Sequence, residues 1–160
     1  MTQVSPVPAH LHTVTARLVV EDGAGAVDFY RRAFGAEPIG EAFTAPGGEL
    51  IHIELRIGDA VVMLTEDTGD SDAPARSPRA TSGVATAMMA TYWPDVDAAW
   101  QRAVAAGAEV IYPLEDQFYG ERGGRLRDPF GQQWMLSQRI EDVSAEEMAR
   151  RAAALFGGSG

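Results

Sequence analysis

The sequence predicts an α+β fold in which one unit of strands and a helix occurs twice and a C-terminal helix follows. Two observations carry this prediction. Gly35-Ala36-Glu37 recurs as Gly107-Ala108-Glu109, and Met63-Leu64 recurs as Met135-Leu136, both at a spacing of 72 residues. In each half, a strand pattern, an acidic turn residue and an alanine-rich helix precede the Gly-Ala-Glu segment. A repeat that keeps its register in this way indicates a duplicated structural unit.

The first half reads as a strand, a helix and a hairpin. Residues 14–20 are rich in β-branched and apolar side chains, which is typical of a strand. Residues 24–34 carry apolar side chains at helical spacing, and Gly35 suits the position after a helix. Residues 51–57 alternate apolar and polar side chains, and a Gly-Asp turn leads back into residues 60–64.

The second half repeats this order. Residues 85–93 form its first strand, Asp95 caps a helix over 96–106, and three further strands are predicted at 110–113, 124–127 and 133–138. Ser144 and Glu147 form a capping box for the closing helix. We therefore expect one structural domain with these parts: a flexible leader at 1–12, a first module at 13–66, a linker at 67–83, a second module at 84–140 and a C-terminal helix at 141–156.

Composition excludes several classes of function. The chain has 160 residues, no cysteine and a formal charge of −10. Without cysteine it has no thiol nucleophile, disulfide or thiolate metal site. An acidic surface repels phosphate backbones and anionic lipid, so neither nucleic acid nor a membrane is expected as a partner. The absence of cysteine and of a signal-peptide pattern predicts a cytoplasmic location.

Several segments resemble the vicinal-oxygen-chelate superfamily, which contains glyoxalases, bleomycin resistance proteins and extradiol dioxygenases, and within it the PhnB-like branch. The resemblance rests on the repeat, on Val27-Asp28-Phe29-Tyr30, on Phe118-Tyr119-Gly120-Glu121-Arg122 and on Asp128-Pro129-Phe130-Gly131, and it spans residues 13–143. It implies two βαβββ modules whose curved mixed sheets surround a cleft. Because the same scaffold hosts unrelated chemistries, the resemblance predicts the fold more strongly than the function.

Metal-dependent members of that superfamily place one ligand on the first strand and one on the last strand of each module. Carried over, these positions fall on Thr15 and Met63 in the first module and on Met88 and Met135 in the second. Hard divalent ions prefer imidazole and carboxylate ligands, whereas thioethers form a soft apolar lining. We therefore expect neither a metal nor another cofactor in the cleft.

One strand carries candidate catalytic residues. His52, Glu54 and Arg56 share one face of their strand because side chains alternate along it. A histidine beside a carboxylate is suited to act as a general base with its orienting group, so His52 and Glu54 are the candidate catalytic pair. The alternative is an exposed polar face with a cross-strand ion pair. His10 and His12 read as part of a solvated tail.

Aromatic and charged side chains supply candidate ligand contacts. The segment 118–124 combines two aromatic residues, three glycines and two charges, so it is suited either to fold over a ligand or to form a surface loop with Phe118 in the core. Tyr92 shares the strand face of Met88. The candidate ligand-binding residues are Thr15, Arg56, Met63, Met88, Tyr92, Phe118, Tyr119, Arg122 and Met135.

Two functions from different classes remain open at this stage. One is a metal-independent protein that binds a small organic molecule and sequesters a toxic natural product. The other is an enzyme of the same superfamily, an isomerase, lyase or dioxygenase, with or without a divalent metal. A homodimer is expected in either case, because the edges of two four-stranded sheets are otherwise left unpaired.

Overall fold

A computed structural model describes residues 5–70 and 75–157 of the chain. Residues 1–4 of the predicted leader and 71–74 of the predicted linker lie outside the described residues. The chain divides into two compact units. One comprises the described residues up to Thr86 together with Pro129–Gln132, and the other comprises Ala87–Asp128 and the described residues from Gln133 onward.

Among its described residues, the first unit contains a four-stranded mixed sheet, one α-helix and a short 3-10 helix at Arg79–Thr81. In chain order its elements are β1 (Ala16–Val20), α1 (Gly23–Phe34), β2 (Glu37–Thr44), β3 (Leu50–Ile57) and β4 (Ala60–Glu66). The strands lie in the order β1-β4-β3-β2, with β1 parallel to β4 and the other pairs antiparallel. Ile57 pairs with Ala60, so the Gly-Asp turn at 58–59 closes the predicted hairpin.

The second unit repeats this arrangement. Its elements are β5 (Met88–Tyr92), α2 (Val96–Ala106), β6 (Glu109–Asp116), β7 (Glu121–Arg127), β8 (Gln133–Arg139) and a closing helix α3 (Ala145–Phe156). The strand order is β5-β8-β7-β6, again with one parallel pair, β5 with β8. Two βαβββ modules and a C-terminal helix confirm the predicted α+β fold.

The same capping chemistry delimits the repeated helices. Asp22 accepts a hydrogen bond from the Gly25 backbone N–H at the start of α1, and Asp95 accepts one from Ala98 at the start of α2. Such side chains satisfy backbone donors that a helix leaves unpaired. Each helix ends at a glycine in the left-handed region, Gly35 with φ 66° and Gly107 with φ 115°, in the Gly-Ala-Glu repeats themselves.

Each sheet has one apolar face and one more polar face. In β3, Ile53, Leu55 and Ile57 are buried, whereas the alternate residues are more accessible, as the alternation predicts. In the second unit the apolar face lies toward α2, because a Cβ added at Gly124 would meet the Trp100 ring at 2.7 Å. We call the opposite face of each sheet its open face.

The structure differs from the sequence prediction mainly at edges and ends. The βαβββ pattern implied a third strand in the first module, but the residues between Gly35 and residue 51 gave no position for it. The structure has β2 there, and it was not located because this edge strand is exposed along most of its length and lacks alternation. The strand predicted at 14–20 begins at Ala16, and β6 and β7 are longer than predicted. None of the helices in the described part of the chain has the length and apolar character that crossing a bilayer requires.

Candidate functional site

A pocket of about 160 Å³ lies on the open face of the second sheet. It is formed where β6, β7 and β8 run side by side and where the segment before β7 folds next to them. In the part of the chain that the structure describes, its lining combines phenol rings, a thioether, a hydroxyl, a carboxamide, backbone surface and one guanidinium, and includes no carboxylate. The lining residues are Tyr112, Pro113, Gln117, Tyr119, Gly123, Gly124, Arg125, Met135 and Ser137.

The strand register explains how these side chains meet. Across β7 and β8, Arg125 pairs with Met135 and Gly123 pairs with Ser137, so these residues share one face. On the other side of β7, Arg125 pairs with Tyr112 of β6. A Cβ at Gly123 would lie 3.0 Å from the Ser137 hydroxyl, so glycine at this position lets Ser137 approach the backbone of β7 closely.

Arg125 is the cation of this pocket. Its guanidinium carbon lies 5.0 Å from the centroid of the Tyr112 ring, a cation–π contact. Its Nε is buried and has no hydrogen-bond partner within residues 5–70 and 75–157. Arg127, two residues along the same face, instead forms an ion pair with Glu109 at 3.0 Å. The charge of Arg125 is therefore left without a carboxylate in the part of the chain that the structure describes.

Two phenols flank a carboxylate beside the pocket. The Tyr92 hydroxyl donates to Glu121 Oε1 at 2.8 Å, and this hydrogen bond raises the Tyr92 pKa above its ordinary value. Burial raises the pKa of Tyr119, with the charge of Glu121 as a second cause. Both phenols therefore stay protonated through the neutral range and present hydroxyl groups rather than phenolates.

The predicted ligand-binding residues of the second module fall into different surroundings. Met135 and Tyr119 line the pocket. Tyr92 and Met88 lie on the same open face along β5 and are exposed, as strand parity predicts. Phe118 packs edge-on against Tyr119 and against Phe156 of α3, with ring centroids 5.2 and 6.0 Å apart.

Arg122 has carboxylate partners within the protein. It forms ion pairs with Asp97 at 2.8 Å and with Asp116 at 2.9 Å. It pairs with Gln138 across β7 and β8, so strand parity places it on the face opposite Arg125. Arg122, a candidate ligand-binding residue in the sequence, is therefore already paired with carboxylates of the protein itself.

On the first sheet, Glu54 lies between two imidazoles. Its Oε2 is 2.6 Å from His10 Nε2, and its Oε1 is 3.6 Å from His52 Nε2. Met63 pairs with Glu54 across β3 and β4 and with Arg17 across β4 and β1. His10 is exposed, as expected of the leader, but it is also a neighbour of the predicted catalytic pair.

The remaining residues predicted for the first module lie at its margins. Thr15 precedes β1, and its hydroxyl donates to the His12 carbonyl oxygen at 3.4 Å. Arg56 follows Glu54 on the open face and is exposed, opposite Glu37 of β2.

The side chains at the four positions carried over from metal-dependent relatives do not fit a hard divalent ion. Thr15, Met63, Met88 and Met135 offer one hydroxyl and three thioethers, where such an ion prefers imidazole and carboxylate. Within the described ranges, no group of three or more histidine, aspartate or glutamate residues could hold a metal ion. We accordingly derive no chemical step through a metal.

Sequence reasoning missed Arg125, Tyr112 and His10. The parity of β7 was a usable signal for Arg125, because Arg125 and Gly123 alternate with Gly124 and Leu126. Tyr112 was harder to find, since its role depends on the pairing of β6 with β7. His10 contacts a strand 44 residues away, which no local pattern predicts.

Comparisons with known proteins agree with this architecture. The family described as the glyoxalase/bleomycin resistance protein/dioxygenase superfamily matches residues 10–136. Uncharacterized proteins of Mycobacterium bovis and Mycobacterium tuberculosis are each 40% identical over 136 residues, which is 84% of this chain. The alignment covers 88% of the first protein and 79% of the second.

Solved structures give the same result. TioX from Micromonospora sp. ML1 is similar with a TM-score of 0.60 and 26% identity, over 81% of this chain and 99% of that chain. A glyoxalase/bleomycin resistance protein/dioxygenase family enzyme from Burkholderia phytofirmans PsJN has a TM-score of 0.58 and 18% identity, over 79% and 97% of the two chains. The second likeness supports the fold alone.

Proposed function

Because the chain belongs to the glyoxalase/bleomycin resistance protein/dioxygenase superfamily, we propose that it is a metal-independent protein that binds a small organic molecule on its second sheet. The observation that carries this proposal is the pocket around Met135. There, a position that metal-dependent relatives give to a metal ligand carries a thioether among phenol rings. Thioethers and aromatic rings bind apolar surface by shape and polarizability, not as ligands of hard ions.

The size of the pocket limits what it holds. Its volume of about 160 Å³ is close to that of an engineered cavity in another protein, about 150 Å³, which binds benzene. It is smaller than the roughly 300–1,000 Å³ typical of sites that enclose a drug-sized ligand. The pocket therefore holds one ring or a group of similar size, and a larger molecule extends from it along the open face.

Binding is measurable by intrinsic fluorescence. Trp100 lies directly behind β7, since a Cβ at Gly124 would touch its ring, so occupation of the pocket should change its emission. We would titrate the protein in EDTA with planar aromatic antibiotics and with single-ring aromatic compounds. The proposal expects a saturable change with at least one of them and no effect of added divalent metal.

A matched pair of variants locates the site. Met135→Trp fills the pocket, whereas Met63→Trp makes the same change at the equivalent position of the first sheet. Loss of binding in Met135→Trp with retention in Met63→Trp supports the proposal. Loss of binding only in Met63→Trp moves the site to the first sheet. Binding that is unchanged in both variants rejects the proposal.

A second candidate function is supported by the contacts of Glu54. A carboxylate between His10 and His52 is suited to proton transfer, with His52 as base and Glu54 orienting it. In such a reaction His52 Nδ1, the ring nitrogen that does not face Glu54, takes a proton from the carbon next to a carbonyl, an enolate forms, and the proton returns to carbon. The products would be those of an isomerase, without a metal.

Deuterium exchange tests this alternative. Incubation with pyruvate in D₂O should reduce the methyl proton signal faster with protein than without it. His52→Gln should slow the enzyme-dependent exchange about 100-fold, while His12→Gln, a nearby exposed histidine, should not. Equal rates for both variants would remove the candidate.

Three finer assignments belong to the same proposal. We place the chain in the PhnB-like branch on the segment around Phe118–Arg122, and we propose sequestration of a toxic natural product in the cytoplasm as its role. We also propose a homodimer, because the edge strands β2 and β6 leave Phe43 and Tyr112 exposed. Light scattering that reports a monomer at micromolar concentration would contradict the last assignment.

A further inference from the structure

We infer that the pocket selects a single aromatic ring that carries an anionic oxygen, a carboxylate or phenolate, and that Arg125 is the residue that binds it. This inference rests on the proposed function and specifies the ligand class of the same pocket. It follows from three features of Arg125: the absence of an acidic partner among the described residues, the burial of its Nε, and the aromatic surface around it.

The absence of an acidic partner is informative in this chain. Acidic residues outnumber basic ones, 23 to 13, so a cation is readily neutralised from within the protein. Arg122 and Arg127, on the same strand, are both ion-paired, at 2.8 and 3.0 Å from carboxylates. Arg125 has no such contact in the described residues, and the lining of its pocket contains no aspartate or glutamate.

The second feature is a hydrogen-bond donor that the described residues leave unused. Buried polar groups in proteins almost always have a hydrogen-bond partner. Arg127 Nε is also buried without one, but the Nη1 atom of the same guanidinium donates to Glu109. At Arg125 no atom of the guanidinium has a carboxylate partner among the described residues, so an anionic oxygen in the pocket would pair with its Nη atoms, which are not buried as Nε is.

The third feature is the surface that accompanies the charge. The Tyr112 ring holds the guanidinium at 5.0 Å without neutralising it. Met135 lies beside Arg125 across the strand pair, and Tyr119 and Ser137 line the same pocket. A thioether and a phenol accept the face of a ring, and the pocket has room for one ring. An aromatic anion satisfies both the apolar and the cationic part of this lining.

The test compares three single-ring compounds whose substituents are anionic, neutral and cationic. Benzoate, benzamide and benzylamine would be titrated in EDTA against ¹⁵N-labelled protein, with dissociation constants taken from chemical-shift changes. Since a hydrogen bond to a charged group is stronger than a neutral one, we expect benzoate to bind about 10- to 100-fold tighter than benzamide. Benzylamine should bind more weakly than either.

Arg125→Gln and Arg127→Gln form a matched pair, because each removes one positive charge from the same face of β7. Arg125→Gln should weaken benzoate binding about 10- to 100-fold and change benzamide binding less than about threefold. Arg127→Gln should leave the preference for benzoate in place. Arg125→Lys keeps the positive charge but lacks the planar guanidinium, so it should retain part of the preference for benzoate over benzamide. This variant also tests the inference if Arg125→Gln does not fold.

Two outcomes separate this inference from the proposed function. Equal affinity for benzoate and benzamide, with both lost in Met135→Trp, overturns the inference and leaves the pocket as a binding site for neutral rings. An equal loss of benzoate binding in Arg125→Gln and Arg127→Gln overturns it as well, since general charge then explains the preference. If no aromatic compound binds to the pocket at all, the proposed function itself is wrong.

Discussion

Asp67 offers the most quantitative test of the local structure. Its side chain is 2% exposed and accepts hydrogen bonds from the backbone N–H groups of Ser77 and Gly69 at 2.7 and 3.0 Å. It also pairs with Arg76 at 2.8 Å. The Ser77 hydrogen bond is the largest cause that lowers the Asp67 pKa from 3.8 to about 2; the contacts of Gly69 and Arg76 add to it, and burial opposes it. This carboxylate therefore links the end of β4 to Arg76 and Ser77.

The magnitude follows from the two pKa values. Because the folded-state pKa is depressed, ionised Asp67 stabilises the protein above pH 4, and the effect is lost as pH falls through about 2. The pKa difference corresponds to about 2 kcal/mol at pH 7 and to less than about 0.5 kcal/mol at pH 2. Asp67→Asn should therefore lower the free energy of unfolding by about 2 kcal/mol at neutral pH and by much less in acid.

Urea denaturation followed by circular dichroism measures this difference at several pH values. A control is Asp59→Asn, the same change at an exposed carboxylate in the turn between β3 and β4. It should alter the free energy of unfolding by less than about 0.5 kcal/mol. If Asp67→Asn destabilises the protein equally at pH 7 and pH 2, the charge of Asp67 is not the cause and the reasoning fails.

Two further predictions concern the second unit. Gly124→Ala should lower the free energy of unfolding in urea by about 1–3 kcal/mol, because the new Cβ would lie 2.7 Å from the Trp100 ring and 2.8 Å from the Pro113 carbonyl oxygen. An unchanged urea midpoint would contradict the packing of α2 on β7. The hydrogen bond to Glu121 raises the pKa of Tyr92 above its ordinary value of 10. The Tyr92 phenolate signal, measured as the difference in absorbance between the unchanged protein and Tyr92→Phe, should therefore have its midpoint above pH 10. A midpoint at or below pH 10 would argue against the hydrogen bond.

The fold was largely predictable because its signals are local. Asp22 and Gly35 are residue types that cap the two ends of a helix, and the repeat predicts the same caps at Asp95 and Gly107. The alternation of residues 51–57 fixed the buried face of β3 in advance. Edge strand β2 was not located because it is exposed along most of its length and its sequence does not alternate between apolar and polar residues.

The candidate site was predictable only in part, because it depends on pairing between distant strands. Met135 and Tyr119 were found from the repeat and from composition, and both line the pocket. Arg122 was preferred to Arg125 because it lies in a more conspicuous segment, yet strand parity points the two in opposite directions. Residue type alone does not tell a cation with an internal partner from one without.

The central claim is that an organic molecule contacts Met135 without a metal. Protein labelled with ¹³C at its six methionine methyl groups would be titrated in EDTA with the aromatic compound that gives the largest fluorescence change, and Met135→Leu would assign the signal. The Met135 methyl resonance should shift saturably, while that of Met148, exposed on α3, should not move. A Met135 signal that stays fixed in EDTA and shifts only after a divalent metal is added would contradict the claim.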